Sequence, residues 1–247
     1  MASDRSAAVA PPGLAPGETF GDATLALIER LLQDGARHVV ALMRHSAREY
    51  APGVHDLQNP LTVEGRDLAL RLGTALPKTL TVRGYASPPA RCMDTAALIM
   101  EGHRLAGGSA TRHRPVEALG VFYALDQMKM WKGLSGAGGL PAFIGQWVRG
   151  AVPPDALIPA ALATDLLLRV LAARLRDPVA ETSLDLCVSH DMSLHLLRAV
   201  LFEEPAATAA PVRYLDALVL YEREGRLMLA SHDRASIDIT ARITASA

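Results

Sequence analysis

Residues 39–48 have the sequence VVALMRHSAR, in which the apolar run VVALM leads directly into RHSAR. The apolar run lacks the alternation of a half-exposed strand, which is typical of a parallel strand covered on both faces. We therefore predict that the pentapeptide 44–48 lies at the carboxyl end of a buried strand. Open parallel sheets bind their ligands at that edge, so the pentapeptide is a candidate binding segment.

The composition indicates an aliphatic globular domain. Half of the 247 residues are hydrophobic but only 4% are aromatic, so Leu, Ala and Val must build the core. The formal net charge of -1 argues against a broad basic surface for nucleic acid or anionic lipid. With two cysteines and no apolar run near the roughly 20 residues of a membrane helix, we expect a cytoplasmic protein with neither nucleic-acid nor membrane partners.

The chain divides into an N-terminal arm and one domain. Residues 1–22 are rich in Ala, Pro and Gly and lack the apolar centre of a secretion signal, which predicts a flexible arm before a domain at 23–247. Within that domain, glycines and prolines interrupt the pattern at 120–160, which also holds nearly half of the aromatic residues. We predict an inserted cap over the site there, and an ordinary surface excursion is the alternative.

Strands and helices alternate along the rest of the domain. Apolar runs predict strands at 39–43, 81–86, 112–119 and 184–189, with helices between them, and a hairpin at 218–229 around Glu224 and Gly225. This alternation predicts a three-layer α/β/α sandwich with a mostly parallel central sheet and a C-terminal hairpin at its edge.

Charged residues follow three of the predicted strands. Arg44 and His45 follow the first, Arg91 lies in the first turn of a helix that Ser87 is expected to cap, and the pair 190–191 is His-Asp. One guanidinium group can donate hydrogen bonds to two phosphate oxygens, and a neutral imidazole nitrogen can attack phosphorus. The sequence therefore predicts a site for a small-molecule phosphate ester.

Four segments, in order, carry a family resemblance. They are RHSAR at 44–48, LTVEG at 61–65, SPPARCMDTA at 87–96 and VSHD at 188–191. Together they resemble the histidine phosphatase superfamily, which includes phosphoglycerate mutase-like and histidine acid phosphatase-like branches. The family pattern is R-H-G-x-R, then S-P-x-x-R-x-x-x-T-A, then a late second histidine. Ser46 replaces the usual glycine, and its hydroxyl is expected near the pocket.

The resemblance implies that His45 is a nucleophile that becomes transiently phosphorylated. It also implies that Arg44, Arg48, Arg91 and His190 bind the phosphoryl group. Such fixed cations stabilise the charge of a phosphoryl group in transfer without a metal ion, so we expect no metal and no cofactor. His45 must be neutral to attack, so its other ring nitrogen should be held by a backbone acceptor.

Two carboxylates are candidates for the acid that protonates the leaving group. Asp191 forms the His-Asp pair in which the acid phosphatase-like branch has its donor. Glu117 lies near the end of the third predicted strand, where the mutase-like branch has its acid. The dipole at a helix start favours the ionised form of Asp191, whereas repulsion by a bound phosphate dianion favours the protonated form. Asp191 is preferred because Glu117 rests on position alone.

Other functions remain open from the sequence. Glu49-Tyr50 after Arg48 differs from the Glu-x-x-Asn of phosphoglycerate mutases, which favours a phosphatase over a mutase-like phosphotransferase. A metal-dependent phosphohydrolase could use the His-Asp pairs at 55–56, 190–191 and 232–233, but that class has an all-helical fold. A non-catalytic phosphate-binding module is the third alternative, although no essential residue is missing.

Overall fold

The computed structural model describes residue 14, residues 17–51, residue 53 and residues 56–244. The strands of this part of the chain are β1 (His38–Arg44), β2 (Thr81–Ala86), β3 (Ser109–Pro115), β4 (Ser183–Ser189), β5 (Ala217–Arg223), β6 (Arg226–Ser231) and β7 (Arg234–Asp238). The α-helices are α1 (Asp22–Gln33), α2 (Val63–Ala75), α3 (Ala90–Leu105), α4 (Gln127–Gly136), α5 (Leu140–Val148), α6 (Ala160–Leu175), α7 (Asp191–Leu201) and α8 (Thr240–Thr244). Among them, no helix has the length and apolar character needed to cross a bilayer.

The strands form one mixed sheet in the order β3-β2-β4-β1-β5-β6-β7. The pairs β3-β2, β2-β4 and β4-β1 are parallel, whereas β1-β5, β5-β6 and β6-β7 are antiparallel. The expectation of a mostly parallel sheet therefore holds for the half formed by β3, β2, β4 and β1 and not for the half formed by β5, β6 and β7. Helical crossovers build the parallel half, but the short turns that join β5, β6 and β7 allow only antiparallel pairing. The predicted edge hairpin is the first part of a three-stranded meander.

Helices cover both faces of the sheet, which confirms the predicted three-layer architecture. Val39, Ala41 and Met43 of β1 contribute to the core that contains α1, α2 and α3. Val40 and Leu42 of the same strand contribute to the core that contains α6, α7 and α8. Because both faces of β1 are buried, its five apolar residues show no alternation with polar ones.

Helix α2 packs tightly against the segment that follows His45. A Cβ atom on Gly65 would lie 2.0 Å from the carbonyl oxygen of Ala47, so only glycine allows this approach. The hydroxyl of Ser46 donates to the carbonyl oxygen of Gly65 over 2.7 Å. This hydroxyl, which was expected near the pocket, belongs to the residue after His45 but binds the backbone of α2 and does not line the pocket. Thr62 caps the helix, accepting from the amide of Gly65 at 2.9 Å.

The third strand and the N-terminal arm differ from their predicted bounds. Strand β3 ends at Pro115, and a short 3₁₀ helix, Glu117–Leu119, replaces the end of the strand predicted at 112–119. Most of the predicted arm, residues 1–13 and 15–16, lies outside the described residues. Its last part is folded, since Glu18 pairs with Arg213 at 3.0 Å and Asp22 begins α1.

Residues 120–160 contain α4, α5 and the loops around them. Their aromatic side chains build a third apolar core, in which Tyr123, Phe143 and Trp147 are buried together with Met192 and Leu196 of α7. The indole nitrogen of Trp147 donates to the carbonyl of Ile158 over 2.8 Å. The segment is thus a folded subdomain attached to α7, the helix that begins at the site.

Candidate active site

The site forms where three neighbouring parallel strands end. Strand β4 lies between β1 and β2, so the residues that follow all three strands meet at one edge of the sheet. There a pocket of about 510 Å³ is lined by six of the residues predicted from the sequence: Arg44, His45, Arg48, Arg91, His190 and Asp191. The structure therefore brings together every predicted phosphate-binding residue.

His45 is buried, and its ring is held by a backbone carbonyl. Its Nδ1 lies 2.8 Å from the carbonyl oxygen of Ser46, as expected for a neutral nucleophile. Because a carbonyl oxygen only accepts, Nδ1 carries the proton and Nε2 keeps a lone pair. Burial lowers the pKa of His45 well below its usual value of 6.5, and the neighbouring His190 and Arg91 lower it further. The imidazole is therefore neutral at neutral pH.

Arg91 connects three parts of the site. Its Nε donates to Nε2 of His45 at 3.2 Å, and its Nη1 donates to the carbonyl oxygen of Asp56 at 2.9 Å. Its Nη2 lies 3.5 Å from Nδ1 of His190. The side chain is only 2% exposed although it belongs to the first turn of α3. Side chains in a first turn lean toward the helix N-terminus, which directs this guanidinium to the edge of the sheet.

His190 is the second buried histidine of the site, with its ring centroid 5.6 Å from that of His45. Burial and the charge of Arg91 lower the pKa of His190 to about 4. Its Nε2 lies 2.9 Å from the hydroxyl of Ser87. A hydroxyl can donate or accept, so this contact suits either neutral tautomer of the ring. When Ser87 donates to Nε2, Nδ1 carries a proton that can bind a phosphate oxygen, and this contact then replaces the one at 3.5 Å between Nδ1 and the donor Nη2 of Arg91.

The contact between Ser87 and His190 corrects the role predicted for Ser87. The N-cap position of α3 is occupied by Pro89, and no side chain caps the helix. The sequence S-P-P permitted a cap at Ser87 because serine is common at helix starts. The second proline moves the helix start two residues along the chain, which leaves the hydroxyl of Ser87 available to His190.

Arg44 is fixed between a carboxylate, a carbonyl and a ring. Its Nη2 lies 3.1 Å from Oδ2 of Asp191, and its Nη1 donates to the carbonyl of Val212 at 2.6 Å. The guanidinium carbon lies 4.3 Å from the ring centroid of Tyr214, within cation–π distance. Asp191 is the first residue of α7 and its side chain is 34% exposed, so Arg44 holds a solvent-accessible carboxylate at the wall of the pocket.

Asp56 is a site residue whose place sequence reasoning missed. Its Oδ1 lies 2.5 Å from Nη2 of Arg48, and its Oδ2 lies 3.2 Å from Nη2 of Arg91. One carboxylate therefore bridges two of the three arginines. From the sequence, Asp56 was considered only as a possible metal ligand, in the His-Asp pair at 55–56. A lone acidic residue in a loop with no periodic pattern carries no signal of this contact.

Glu117 does not line the pocket that contains His45. It is exposed on the 3₁₀ helix and lines an adjoining cavity of about 280 Å³ with Ser87 and His190. His190 thus lies between the two cavities. Of the two candidate acids, Asp191 shares the pocket of the nucleophile and Glu117 lies beside it.

The His-Asp pairs do not form a metal centre in the described part of the chain. No group of three or more His, Cys, Asp or Glu side chains there is arranged to hold a metal ion. His55 lies outside the described residues. Asp233 accepts from Arg198 at 2.8 Å and from the hydroxyl of Ser231 at 2.5 Å, between β6 and β7.

Comparisons with known proteins agree with this architecture. The family model described as "Histidine phosphatase superfamily (branch 1)" matches residues 40–112, which include the segments at 44–48, 61–65 and 87–96. Comparison of the sequence with curated proteins finds no match. The resemblance to the histidine phosphatase superfamily, whose members are phosphatases or mutases, is confirmed.

Two solved structures show the same fold. A phosphoglycerate mutase from Bacillus anthracis str. Sterne superimposes with a TM-score of 0.50 at 15% identity, over 81% of this chain and 94% of that one. Bacillus stearothermophilus YhfR gives a TM-score of 0.55 at 20% identity, over 80% of this chain and 98% of that one. The fold of this chain is therefore that of the phosphoglycerate mutase-like proteins.

Proposed function

We propose that this protein is a phosphomonoester hydrolase that acts through a phosphohistidine at His45. The observation that carries the proposal is the state of the His45 ring. Its Nδ1 is held by a carbonyl at 2.8 Å, and its unprotonated Nε2 accepts from the guanidinium of Arg91. A nucleophilic lone pair among fixed cations is what transfer of a phosphoryl group requires.

In the first step, the phosphate of the ester binds Arg44, Arg48, Arg91 and His190. The Nε2 lone pair of His45 attacks phosphorus opposite the ester oxygen, so that an N–P bond forms as the P–O bond breaks. The ester binds as its monoanion and gives its proton to the carboxylate of Asp191, which passes it to the leaving alkoxide. The arginines stabilise the charge on the equatorial oxygens, and their positions are fixed before the substrate arrives.

In the second step, water replaces the alcohol. The carboxylate of Asp191 takes a proton from the water, whose oxygen attacks phosphorus as the N–P bond breaks. Asp191 passes this proton to the inorganic phosphate, which leaves as its monoanion, and His45 returns to its neutral form. The carboxylate of Asp191 is thereby restored, so the cycle needs no other proton carrier.

Asp191 is proposed as the proton donor because it lines the pocket of His45, whereas Glu117 lines the adjoining cavity. The variants Asp191→Asn and Glu117→Gln distinguish them when each is assayed on an alkyl phosphate and on p-nitrophenyl phosphate. An alkoxide needs the proton far more than a nitrophenolate does. Loss of the true donor therefore lowers turnover of the alkyl ester more, and equal losses in Asp191→Asn would exclude Asp191.

The main test of the proposal is hydrolysis of p-nitrophenyl phosphate by the wild type and by His45→Ala. We expect the variant to lose at least roughly 1,000-fold in kcat, and His113→Ala on the edge strand β3 to retain activity. The wild type should form an acid-labile phosphoenzyme that His45→Ala does not form. A wild type inactive on a broad panel of phosphomonoesters would instead indicate a phosphate-binding module.

The same assay separates the remaining alternatives. Transfer of the labelled phosphoryl group to a phosphoglycerate faster than to water would indicate a mutase. Abolition of activity by EDTA would indicate a metal-dependent enzyme. Retention of activity in EDTA together with inhibition by vanadate, which mimics the transferring phosphoryl group, is the expected result.

A further inference from the structure

We propose that the substrates are phosphate monoesters whose alcohol part is apolar, such as an alkyl or aryl group. This inference rests on the proposed function and names the substrate class of the same site. It excludes sugars and other polyols, and it excludes alcohols that carry a second charge, such as sugar acids. The apolar side chains that line the pocket support this substrate class.

The side chains that line the pocket form a charged group and an apolar group. The charged group lies at the carboxyl ends of β1, β2 and β4. The apolar group forms the apolar wall, which comes from the segment between β3 and β4, where α4 contributes Met130, Trp131 and Leu134 and α5 contributes Leu140. Met192, at the start of α7, also lines the pocket. An ester that binds its phosphate at the arginines therefore directs its alcohol part at aliphatic and aromatic side chains.

The apolar wall offers no positive charge to a second anionic group. The arginines that line the pocket are Arg44, Arg48 and Arg91, and all three belong to the charged group. In α4, Lys129 lies in an exposed ion pair with Asp155, and Lys132 is exposed without lining the pocket. A carboxylate or second phosphate on the alcohol would lose its water there without gaining a partner, which is costly.

Hydroxyl groups on the alcohol would also find few partners at this wall. The hydroxyl of Tyr123 is buried and already bonded to that of Ser193 at 3.2 Å. Ser135, at the exposed side of α4, is the other hydroxyl-bearing side chain that lines the pocket. The backbone of Gly138 and Gly139 also lines the pocket, but a polyol with several hydroxyl groups would find few other partners at this wall, whereas an alkyl chain loses nothing by leaving water.

The experiment is a chain-length series of n-alkyl phosphates from ethyl to octyl, whose leaving groups have nearly equal reactivity. We expect kcat/KM to rise by roughly threefold for each added methylene until the pocket is filled. Propyl phosphate and glycerol 3-phosphate share a three-carbon skeleton and differ in two hydroxyl groups. We expect propyl phosphate to be preferred by about tenfold or more, since two polar groups are then not buried.

Two variants on α4 test whether the apolar wall causes the rise of kcat/KM with chain length. Trp131→Ala removes the largest side chain of the apolar wall and should flatten the rise of kcat/KM with chain length. Met128→Ala is the matched control, because Met128 lies on the same helix, is 78% exposed and does not line the pocket. We expect this control to keep both the slope and the activity on p-nitrophenyl phosphate.

The outcomes separate this inference from the proposed function. A flat or falling chain-length series, or a preference for glycerol 3-phosphate, overturns the apolar substrate class while hydrolysis of p-nitrophenyl phosphate still supports a phosphatase. An equal slope in Trp131→Ala and the wild type also overturns it. Absence of any hydrolysis and of any phosphoenzyme overturns the proposed function, and this inference with it.

Discussion

The Nε atom of Arg91 lies 3.2 Å from Nε2 of His45, the nitrogen that we propose as the nucleophile. The guanidinium therefore occupies the side of the ring from which phosphorus must be attacked. A phosphate oxygen can take over this N–H as the substrate binds, so the donor is in place before the reaction starts. The contact also opposes protonation of His45, because a protonated Nε2 has no lone pair to accept from Arg91.

Replacement of Arg91 by lysine keeps a positive charge but removes the planar fork that contacts His45, Asp56 and His190. We expect kcat/KM on p-nitrophenyl phosphate to fall by roughly 100-fold to 1,000-fold. Arg66→Lys is the control, because Arg66 is half exposed and pairs with Asp94 outside the pocket. If Arg91→Lys were as active as this control, bidentate binding by Arg91 would not contribute to turnover.

Replacement of Asp56 by asparagine removes the carboxylate that bridges Arg48 and Arg91. A phosphate dianion must displace or approach this carboxylate. The Asp56→Asn protein, which lacks that negative charge, should therefore bind vanadate and inorganic phosphate more tightly, with inhibition constants lower by roughly fivefold. Asp94→Asn changes the same charge away from the pocket and should leave inhibition unchanged. Weaker inhibition of the Asp56→Asn protein would show instead that Asp56 positions the arginines for phosphate.

The two buried histidines make stability depend on pH. The pKa of His190 is about 4 in the folded protein and near 6.5 in the unfolded chain. Above pH 6.5 His190 is neutral in both the folded and the unfolded state, so its titration does not lower the free energy of unfolding. Between pH 6.5 and 4 the unfolded chain binds the proton and the folded protein does not, so stability falls as the pH falls, by about 3 kcal/mol for His190. His45, whose pKa is also lowered, contributes in the same direction.

Urea denaturation of the wild type and His190→Gln at pH 7 and pH 4 measures this effect. We expect the loss of unfolding free energy on acidification to be smaller in His190→Gln, whereas His113→Gln on β3 should follow the wild type. An identical loss in all three proteins would mean that carboxylates alone cause the acid sensitivity.

The close approach of α2 to the segment after His45 predicts that Gly65→Ala is severely destabilising. Its added methyl would meet the carbonyl oxygen of Ala47 at 2.0 Å, and backbone must move to relieve that contact. We expect a loss of about 3 kcal/mol in unfolding free energy. Gly136→Ala on α4 has nothing within 4 Å and should lose no stability. Equal stability of the two variants would show that α2 can shift without cost.

Sequence reasoning recovered the parts of the site that lie at the carboxyl ends of parallel strands. Arg44 and His45, Arg91, and His190 and Asp191 each follow a parallel strand, and parallel strands that are neighbours bring such residues together. The position of β4 between β1 and β2 was not needed for this conclusion, because all carboxyl ends of parallel strands share one edge. The neutral state expected for His45 also agrees with its carbonyl contact and its burial.

The features that sequence reasoning missed lie in loops and at the edge of the sheet. The contact of Asp56 with two arginines arises from a loop whose path no hydrophobic pattern specifies. Strand β7 has the sequence RASID and is only partly buried at the edge of the sheet, so it shows little apolar character. Ser87 could serve as a cap or as a partner of His190, and only the start of α3 at Ala90 decides between them.

The apolar wall of the pocket comes mainly from one uninterrupted segment that enters after β3 and leaves before β4. The reacting groups lie elsewhere, on the three strand ends, and most of their contacts do not involve this segment. Selection or protein engineering can therefore exchange the segment and redirect the proposed phosphatase to a new alcohol, while the residues proposed for phosphoryl transfer are retained.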